Sequence, residues 1–188
     1  ILGRTPVALV TGSNGKTTTV RLIAAMLRAH GLRTAHSCTD GLFAGDAAHI
    51  ERLESGDYSG PGGARQLLRR TDVEAAVLET ARGGILKRGL AFEHCDVGVV
   101  LNVSGDHLGL DGVETMQDLA HVKGLVARCA SGAAVLNADD AWCVAMRETL
   151  AQECKPVFFT MNMRNAVFIE HLRAGGDGAC LDDDGWLV

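Results

Sequence analysis

The sequence has no excess of positive charge. Its 188 residues contain 18 Lys and Arg against 23 Asp and Glu, which gives a formal net charge of -5, and no local cluster of basic residues offsets this balance. A protein that binds the phosphates of a nucleic acid duplex usually carries a basic patch. The composition therefore argues against a nucleic acid partner.

Long hydrophobic runs are also missing. Apolar stretches such as residues 97–101 are far shorter than the roughly 20 residues that a membrane-spanning helix needs. No charged start followed by an apolar run marks a signal peptide. We therefore expect a cytoplasmic protein with no membrane partner.

The cysteines form no C-x-x-C pair, and no histidine accompanies them at zinc-finger spacing. The sequence also lacks a Ser-His-Asp or Cys-His pattern for covalent catalysis, because the adjacency of His94 and Cys95 along the chain does not establish a contact. We expect reduced, mostly buried thiols at all six positions: Cys38, Cys95, Cys129, Cys143, Cys154 and Cys180.

The remaining composition is that of a globular protein. Apolar residues make up 47% of the chain and charged residues 22%, so it can bury a real core. The length suits a single domain over residues 1–188. Because the sequence starts at Ile1 and ends on the apolar residues of 185–188, we expect a piece of a longer, multidomain chain. A homo-oligomer remains open.

Short apolar runs alternate with helical patterns along the chain, which predicts an α/β fold of three layers with a mostly parallel central sheet. A hairpin with a turn at Gly45 and Asp46 is expected over residues 41–50, and short antiparallel strands are expected from Ala166 onward, with a turn at 182–185. The predicted strands are 6–10, 34–38, 74–78, 97–103, 133–137 and 156–159, and the predicted helices are 17–30, 64–70, 114–129 and 140–151.

A glycine-rich loop between the first strand and the first helix is the sharpest functional signal. Backbone N–H groups of such a loop and the positive end of the helix dipole bind phosphates, while Lys16 would reach the terminal phosphates and Thr17 would hold magnesium. Val10 stands where the usual motif has its first glycine, so the motif is a shorter G-x-x-G-K-T form. The alternative is a tight turn with a solvated lysine. The nucleotide-binding residues predicted are Gly12, Ser13, Asn14, Gly15, Lys16, Thr17 and Thr18.

Polar side chains follow two of the predicted central strands. Glu79 follows one strand, and Asp106 and His107 follow the other. Ligands of open parallel sheets bind at the carboxyl ends of the strands, so these groups should converge on the phosphate loop. A carboxylate and an imidazole are both credible magnesium ligands, although imidazole is the less usual one. The alternatives are an ion pair of Glu79 with Arg82 or Lys87, and a loop histidine held by Asp106.

Three further positions carry weaker signals. Lys123 lies at the edge of the apolar stripe of helix 114–129, where a lysine commonly snorkels to solvent; the functional alternative is a carbamate that binds a second magnesium ion. Thr39 follows the second strand and could supply a hydroxyl ligand. Asp139 or Asp140, which close a later strand, are interpreted as a helix N-cap.

Three motifs together resemble a known superfamily: TGSNGKTTT at 11–19, NVSGDHLGLDG at 102–112 and VLNADD at 135–140. They are similar to the central ATP-binding domain of the Mur ligases and folylpolyglutamate synthetases. Within that superfamily the chain resembles most the Mur-ligase-like portion of the cyanophycin synthetase family, and LETARGGIL at 78–86 is much more specific than the phosphate loop. The other segments that carry this resemblance are TDGLF at 39–43, CDVGVVLNVSGDHLGL at 95–110, DLAHVK at 118–123 and DGWLV at 184–188.

The resemblance implies a ligase that phosphorylates a carboxylate with ATP and lets an amine displace the phosphate, forming an amide. In the cyanophycin synthetase family this portion adds arginine to the side-chain carboxylate of poly-aspartate. The implied partners are ATP, Mg2+, poly-aspartate or another carboxylate-bearing peptide, free arginine, and other domains of the same chain. A dipeptide such as β-aspartyl-arginine stays open as the acceptor.

The resemblance also implies roles for individual residues. Lys16 and the amides of residues 12–18 would hold the β- and γ-phosphates. Thr17 and Glu79 would bind one magnesium ion, and Thr39 and His107 would join Glu79 at another. Lys123 falls near the carbamylated lysine of the family, although its spacing from His107 is longer than in many Mur ligases. The catalytic residues implied are Lys16, Glu79, His107 and Lys123.

The family's third domain, which contacts the nucleotide and the incoming amino acid, has no counterpart in this sequence. We therefore expect the chain alone to bind ATP without completing catalysis. Two other function classes remain: a kinase-like phosphate-loop NTPase switch and a nucleotide-binding scaffold. Glu79 and His107 at strand ends argue against the scaffold, and the LETARGGIL and DHLGL segments argue against the switch.

Overall fold

The computed structural model describes residues 5–105 and 108–188. Strands and helices alternate along these residues. The strands are β1 (Val7–Thr11), β2 (Thr34–Cys38), β3 (Gly41–Gly45), β4 (Ile50–Ser55), β5 (Ala75–Glu79), β6 (Cys95–Val100), β7 (Ala130–Asn137), β8 (Lys155–Thr160) and β9 (Asp177–Cys180). The helices are α1 (Lys16–Ala29), α2 (Pro61–Leu67), α3 (Arg82–Arg88), α4 (Met116–Arg128), α5 (Ala141–Ala145) and α6 (Ala166–Arg173), with a 3-10 turn (Met146–Thr149) after α5.

The strands form one sheet in the order β4-β3-β2-β5-β1-β6-β7-β8-β9. All neighbouring pairs from β2 to β9 are parallel, while β3 and β4 are added in antiparallel orientation. The mostly parallel sheet predicted from the sequence is confirmed. Strand β1 lies between β5 and β6, with Val10 opposite Glu79 and Thr11 opposite Val100. The carboxyl ends of these three strands are therefore neighbours.

Helices cover both faces of the sheet, which gives the three predicted layers. Alternate residues of β1 point to opposite faces: Leu9 packs in a core with helices α2 to α6, and Val10 packs in a second core with Val20 and Ala24 of α1. Val10 and Val20 are fully buried. Burying each such side chain is worth about 1.5–3 kcal/mol, which explains why the central strands read as nearly continuous apolar runs.

The hairpin predicted over residues 41–50 is confirmed as β3 and β4, and the strand β4 extends further, to Ser55. The turn is closed by Asp46, whose carboxylate accepts hydrogen bonds from the backbone N–H groups of Ala48 and His49. These hydrogen bonds lower the pKa of Asp46. Strand β3 of the hairpin also pairs with β2, so β3 has a neighbouring strand on each side.

The prediction of strands throughout the region after Ala166 is wrong, because residues 166–173 form helix α6. Asn165 caps this helix: its side chain accepts a hydrogen bond from the N–H of Phe168 at 3.1 Å. Phe168 and His171, three residues apart, are the buried side of α6. An antiparallel pairing does follow near the C-terminus, where Leu181 bridges Leu187 around the predicted turn at 182–185.

Several boundaries differ from the predictions for local reasons. Helix α2 starts at Pro61 rather than at residue 64, since proline suits the first helical turn. Strand β6 ends at Val100 rather than at 103, and the helix predicted over 140–151 ends at Ala145 and continues as the 3-10 turn. Helix α3 is absent from the predictions.

All six cysteines are buried and free, as predicted. Among the described residues, no helix combines the length and apolar character needed to cross a membrane.

Candidate nucleotide site

The predicted phosphate loop connects the end of β1 to the start of α1. Gly15, the residue before the helix, has φ 85°, a left-handed conformation that glycine adopts without strain. Gly12 is required for a different reason: a Cβ added there would lie 2.9 Å from the Cβ of Leu101. The two glycines therefore let the loop turn tightly against the segment that follows β6.

Two residues after β6 hold the loop in place, Ser104 through its backbone and Asn102 through its side chain. Ser13 and Ser104 exchange hydrogen bonds, with the Ser13 hydroxyl donating to the Ser104 carbonyl at 3.0 Å and accepting from the Ser104 N–H at 2.9 Å. Asn102 Oδ1 accepts from the N–H of Asn14 at 2.9 Å, and Asn102 Nδ2 donates to the Asn14 carbonyl at 3.2 Å. Sequence reasoning assigned no separate role to Asn102 and Ser104. The signal that could have identified them is their position just after β6, the strand that lies beside β1 in the sheet.

Lys16 folds back over the loop. Its Nζ donates to the carbonyl oxygens of Gly12 and Ser13, both at 3.1 Å. The ammonium group therefore lies at the mouth of the loop, next to the backbone N–H groups at the start of the 14-residue helix α1. Thr18 is exposed in the first turn of this helix. The positive charge of Lys16 and the positive end of the α1 helix dipole would therefore both favour an anion bound at the loop.

Thr17, Thr39 and Glu79 meet beside the loop. The Thr17 hydroxyl donates to Glu79 Oε2 at 2.7 Å and lies 3.2 Å from the Thr39 hydroxyl. These three residues come from the start of α1, the end of β2 and the end of β5, and the parallel order β2-β5-β1 brings them together. Their convergence is the arrangement expected from the strand-end argument.

Glu79 is 2% exposed, and among the described residues its Oε1 atom has no hydrogen-bond partner. Two other buried oxygens share this property, Thr11 Oγ1 at the end of β1 and Ser37 Oγ near the end of β2. A buried acceptor without a partner costs free energy. Of the three, Glu79 Oε1 lies beside the hydroxyls of Thr17 and Thr39, where a bound cation could satisfy it.

The alternative role of Glu79 as an ion-pair partner does not match the structure. Within residues 5–105 and 108–188, no ion pair joins Glu79 to Arg82 or Lys87. Arg82 instead donates to the carbonyl of Leu110 at 2.8 Å and lies 3.6 Å from the carboxylate of Asp111. Arg82 thus fastens α3 to the loop that precedes α4.

Asp106 and His107 lie outside the described residues, so the predicted imidazole ligand stays a prediction. The described residues after them form a turn in which the N–H of Gly109 donates to the Val113 carbonyl at 2.8 Å. A capping box then starts α4: Thr115 accepts from the N–H of Asp118, whose carboxylate accepts from the N–H of Thr115.

Lys123 is 4% exposed, so its side chain does not extend to solvent as a snorkelling lysine would. It lines a cavity of about 190 Å3 beside the phosphate loop. Lys16 and Arg82 line the same cavity, which therefore has three cationic side chains in its wall. Helix α4 positions Lys123 there by burying Leu119, one turn earlier, against the sheet.

The interpretation of an N-cap at residues 139–140 is confirmed for Asp140. Its Oδ1 accepts from the N–H groups of Trp142 and Cys143, while Oδ2 accepts from the N–H of Val103 at 2.7 Å. Asp140 therefore caps α5 and also fixes the segment that holds the phosphate loop. Asp139 differs: burial opposes its ionisation, but hydrogen bonds from Thr160 and neighbouring groups outweigh burial and lower its pKa.

The donor set at the phosphate loop suits a hard cation. Two hydroxyl oxygens and one carboxylate with an unpaired oxygen are ligands that Mg2+ accepts. In the described part of the chain, no group of three or more His, Cys, Asp or Glu side chains is placed to hold a metal ion. Water, phosphate oxygens and the predicted His107 would have to complete the coordination.

The Mur ligase middle domain family matches residues 10–179 of the sequence. The chain belongs to this family. The match begins in β1 and ends in β9, so it includes the phosphate loop and the candidate site described above.

Among curated proteins, this Mur ligase middle domain is similar to two cyanophycin synthetases. That of Geminocystis herdmanii is 47% identical over 96% of the chain, and that of Synechocystis sp. is 47% identical over 94%. In both cases the match covers 20% of the relative. The chain therefore spans about a fifth of the length of these relatives.

Solved structures share the fold. A UDP-N-acetylmuramoyl-L-alanyl-D-glutamate–2,6-diaminopimelate ligase superposes with a TM-score of 0.66 and 24% identity, covering 87% of this chain and 34% of the other. MurF ligase from Thermotoga maritima in complex with ADP superposes with a TM-score of 0.59 and 24% identity, covering 84% of this chain and 33% of the other. The bifunctional folylpolyglutamate synthase/dihydrofolate synthase of Yersinia pestis, complexed with AMPPNP and Mn, superposes with a TM-score of 0.60 and 19% identity, covering 87% of this chain and 46% of the other.

Proposed function

We propose that this chain is the ATP-binding domain of a ligase that forms an amide bond through an acyl phosphate. More specifically, we propose that it belongs to the arginine-adding portion of an enzyme of the cyanophycin synthetase type, which joins arginine to the side-chain carboxylate of poly-aspartate. Family membership and the similarity to cyanophycin synthetases over nearly the whole chain support this proposal. The observation that carries it is the meeting of Thr17, Thr39 and the half-paired Glu79 beside Lys16.

Lys16 and the loop amides have the first role, to bind and orient the nucleotide phosphates. The residues that would hold magnesium are Thr17, Thr39 and Glu79, with His107 as a further ligand. When bound, the metal ion supplies positive charge that neutralises phosphate oxygens. Nucleotide and Mn in a structure of the same fold support nucleotide and divalent-cation use here. Phosphoryl transfer needs mainly alignment and charge neutralisation, which these residues provide.

The cavity beside the phosphate loop has the cationic side chains of Lys16 and Arg82 in its wall, and these two side chains suit it to two negatively charged groups at once. An acceptor carboxylate must approach the terminal phosphate of ATP, and their mutual repulsion opposes this approach. Cationic side chains in a partly enclosed wall reduce that repulsion because electrostatic interactions are stronger away from bulk water. We therefore place the meeting point of carboxylate and phosphate in this cavity.

We also propose that carbon dioxide adds to the amine of Lys123 to form a carbamate that serves as a second carboxylate at the metal site. The location of Lys123 supports this, because its nearly fully buried side chain lines the cavity beside the phosphate loop, next to the proposed metal site. Protein equilibrated with 13C-labelled bicarbonate should show one carbamate carbon resonance in NMR spectra. The resonance should be absent from Lys123→Met, and its persistence in that variant would contradict the assignment.

Residues 1–188 are proposed to form one domain of a longer multidomain chain. Other domains would supply the incoming amino acid and shield the acyl phosphate from water, since hydrolysis would waste it. The chain alone should then bind ATP without completing the reaction. Appreciable arginine-dependent ADP formation by the 188-residue chain would contradict this division of labour.

The decisive experiment uses the full-length protein that contains this chain. ADP release is measured with poly-aspartate, with arginine, with both, and with neither, and the product is analysed by mass spectrometry. A ligase requires both substrates and yields poly-aspartate carrying added arginine. ATP hydrolysis without either substrate would instead identify a phosphate-loop switch. Glu79→Gln should abolish the reaction, whereas Glu93→Gln, an exposed control, should not.

A further inference from the structure

Two buried cysteines meet at the end of the sheet opposite the phosphate loop. Cys95 is the first residue of β6, and Cys129 follows the last residue of α4 and directly precedes β7. The N–H of Cys95 donates to the Cys129 carbonyl at 2.9 Å, and the two Sγ atoms are 3.4 Å apart. The ligase chemistry proposed above uses neither residue.

The backbone geometry permits a bond between these sulfurs. Cys95 is the strand partner of Ala130, the neighbour of Cys129, and the backbone hydrogen bond holds the two main chains at the spacing of paired strands. Disulfides span main chains at this kind of spacing, with an S–S length of about 2.0 Å. Bond formation therefore requires the sulfurs to close by little more than an ångström, without separating β6 from β7.

The two thiols share a hydrogen bond and differ in acidity because of it. This hydrogen bond lowers the pKa of Cys129 and raises the pKa of Cys95. The positive charge of Arg128 also favours the Cys129 thiolate. Cys129 is 7% exposed and Cys95 is fully buried. Cys129 is thus the more accessible and the more acidic residue of the pair, and we assign it the first reaction with a small oxidant.

We propose that Cys95 and Cys129 form a redox modification site whose oxidant is hydrogen peroxide and whose product is a disulfide that fastens α4 to β6. The Cys129 thiolate attacks one peroxide oxygen, so an S–O bond forms, the O–O bond breaks, and the leaving hydroxide takes up the thiol proton as water. Cys95 then attacks the sulfenic sulfur, so the S–S bond forms, the S–O bond breaks, and the second hydroxide leaves as water with the Cys95 proton. Two thiols are oxidised and one peroxide is reduced to two waters.

The position of the pair gives the disulfide a structural consequence. Helix α4 carries Lys123 between its capping box and Cys129, and β6 leads into the segment of Asn102 that holds the phosphate loop. A cross-link at their far ends would join the two elements that frame the site. Because the bond also closes a chain loop between positions 34 residues apart, it should raise the unfolding temperature.

The remaining cysteines provide the controls. Among the residues that the structure describes, Cys95 and Cys129 are the one cysteine pair whose thiols share a hydrogen bond. Cys154 is the strongest competitor for Cys129. Burial raises the pKa of Cys154, and the charge of nearby Cys129 raises it further. Replacing Cys154 leaves the proposed pair intact.

The test treats the folded protein with hydrogen peroxide, quenches it, alkylates the remaining thiols, and maps the peptides by mass spectrometry. We expect a cross-linked peptide containing Cys95 and Cys129, two fewer alkylated thiols than in the reduced protein, and full reversal by dithiothreitol. The oxidised protein should melt roughly 5 °C higher than the reduced protein. Cys154→Ser should behave like the original protein, whereas Cys95→Ser should lose the cross-link and the rise in melting temperature.

Six alkylated thiols after peroxide treatment, or a disulfide that joins Cys129 to Cys154, would overturn the proposal. Cys129 stopping at sulfinic acid would overturn it as well, because Cys95 would then not be placed to attack. An unchanged melting temperature of the cross-linked protein would refute the fastening of α4 to β6. The peptide map of the unmutated protein decides the main question even if a variant fails to fold.

Discussion

Replacing Glu79 by glutamine should stabilise the nucleotide-free protein. The carboxylate is 2% exposed, accepts one hydrogen bond from Thr17 at 2.7 Å, and leaves Oε1 without a partner among the described residues. Burial of a charge that is not fully hydrogen-bonded opposes folding. Glutamine keeps the shape and the acceptor for Thr17, and it removes the charge.

The size of the effect follows from the groups that remain unpaired. An unsatisfied buried polar atom costs about 1–3 kcal/mol, and a charged one costs more. Glu79→Gln exchanges an underpaired carboxylate for an underpaired amide, so we expect the free energy of unfolding to rise by about 1–2 kcal/mol. For a protein of this size the melting temperature should then rise by roughly 2–8 °C.

Two assays separate the effect of Glu79→Gln on stability from its effect on nucleotide binding. Urea unfolding without nucleotide gives the change in stability, and the exposed control Glu93→Gln should remain within about 0.5 kcal/mol of the original protein. Thermal shifts with Mg2+ and ATP give ligand binding: at a hundredfold excess over Kd the ligand should add about 2.7 kcal/mol to the original protein. Glu79→Gln should lose most of this gain.

Either of two results would refute the reasoning. A loss of more than about 1 kcal/mol in the absence of nucleotide would show that Glu79 is a structural residue whose charge is adequately compensated. An unchanged shift with Mg2+ and ATP would show that its carboxylate does not contribute to the nucleotide and metal site.

Three other predictions concern stability and binding. Burial and the charge of Arg28 lower the pKa of His36 to about 4, so the unfolded chain takes up this proton before the folded protein does as the pH falls. The contribution of His36 to the free energy of unfolding should therefore be constant above about pH 6.5 and fall by about 3 kcal/mol as the pH decreases towards 4. Urea unfolding of His36→Phe should lack this part of the pH profile. Asp140→Ala should lower stability by about 2 kcal/mol in urea unfolding, since it removes the cap of α5 and the hydrogen bond to Val103. Lys16→Met should weaken calorimetric ADP binding by roughly 10- to 150-fold through loss of one charged hydrogen bond.

Each of these predictions has a clear contrary result. A His36→Phe protein that retains the full acid destabilisation would place its source in other titrating groups. Equal stability of Asp140→Ala and the original protein would mean that the segment at Val103 is held elsewhere. ADP binding by Lys16→Met at the original affinity would separate the loop from nucleotide binding.

The strand pattern was readable because it depends on residues close together in sequence. Runs such as those of β5 and β6 are apolar throughout, since both faces of a central parallel strand are covered, and a glycine-rich loop between a strand and a helix has few other uses. The convergence of Thr17, Thr39 and Glu79 was also predictable, because parallel strands end at one edge of the sheet.

The missed helices show where local reasoning fails. Helix α3 contains two adjacent glycines, which disfavour helix, and α6 is only eight residues long. Tertiary packing overrides this weak propensity: Ile85 is buried in the core, and Gly84 lies so near Gly60 that a Cβ added to Gly84 would approach the Gly60 Cα to 2.9 Å. No pattern within α3 reveals that approach.

Periodicity, turn residues and the phosphate-loop spacing are properties of neighbouring residues, and they were enough to predict an α/β fold with a phosphate-loop motif at the end of its first strand. The partners of that loop could not be obtained in the same way. Asn102 and Asn14 are 88 residues apart, and Cys95 and Cys129 are 34 apart. Such contacts arise because strand order and packing place distant segments side by side, and many arrangements of the same strands satisfy the local pattern equally well.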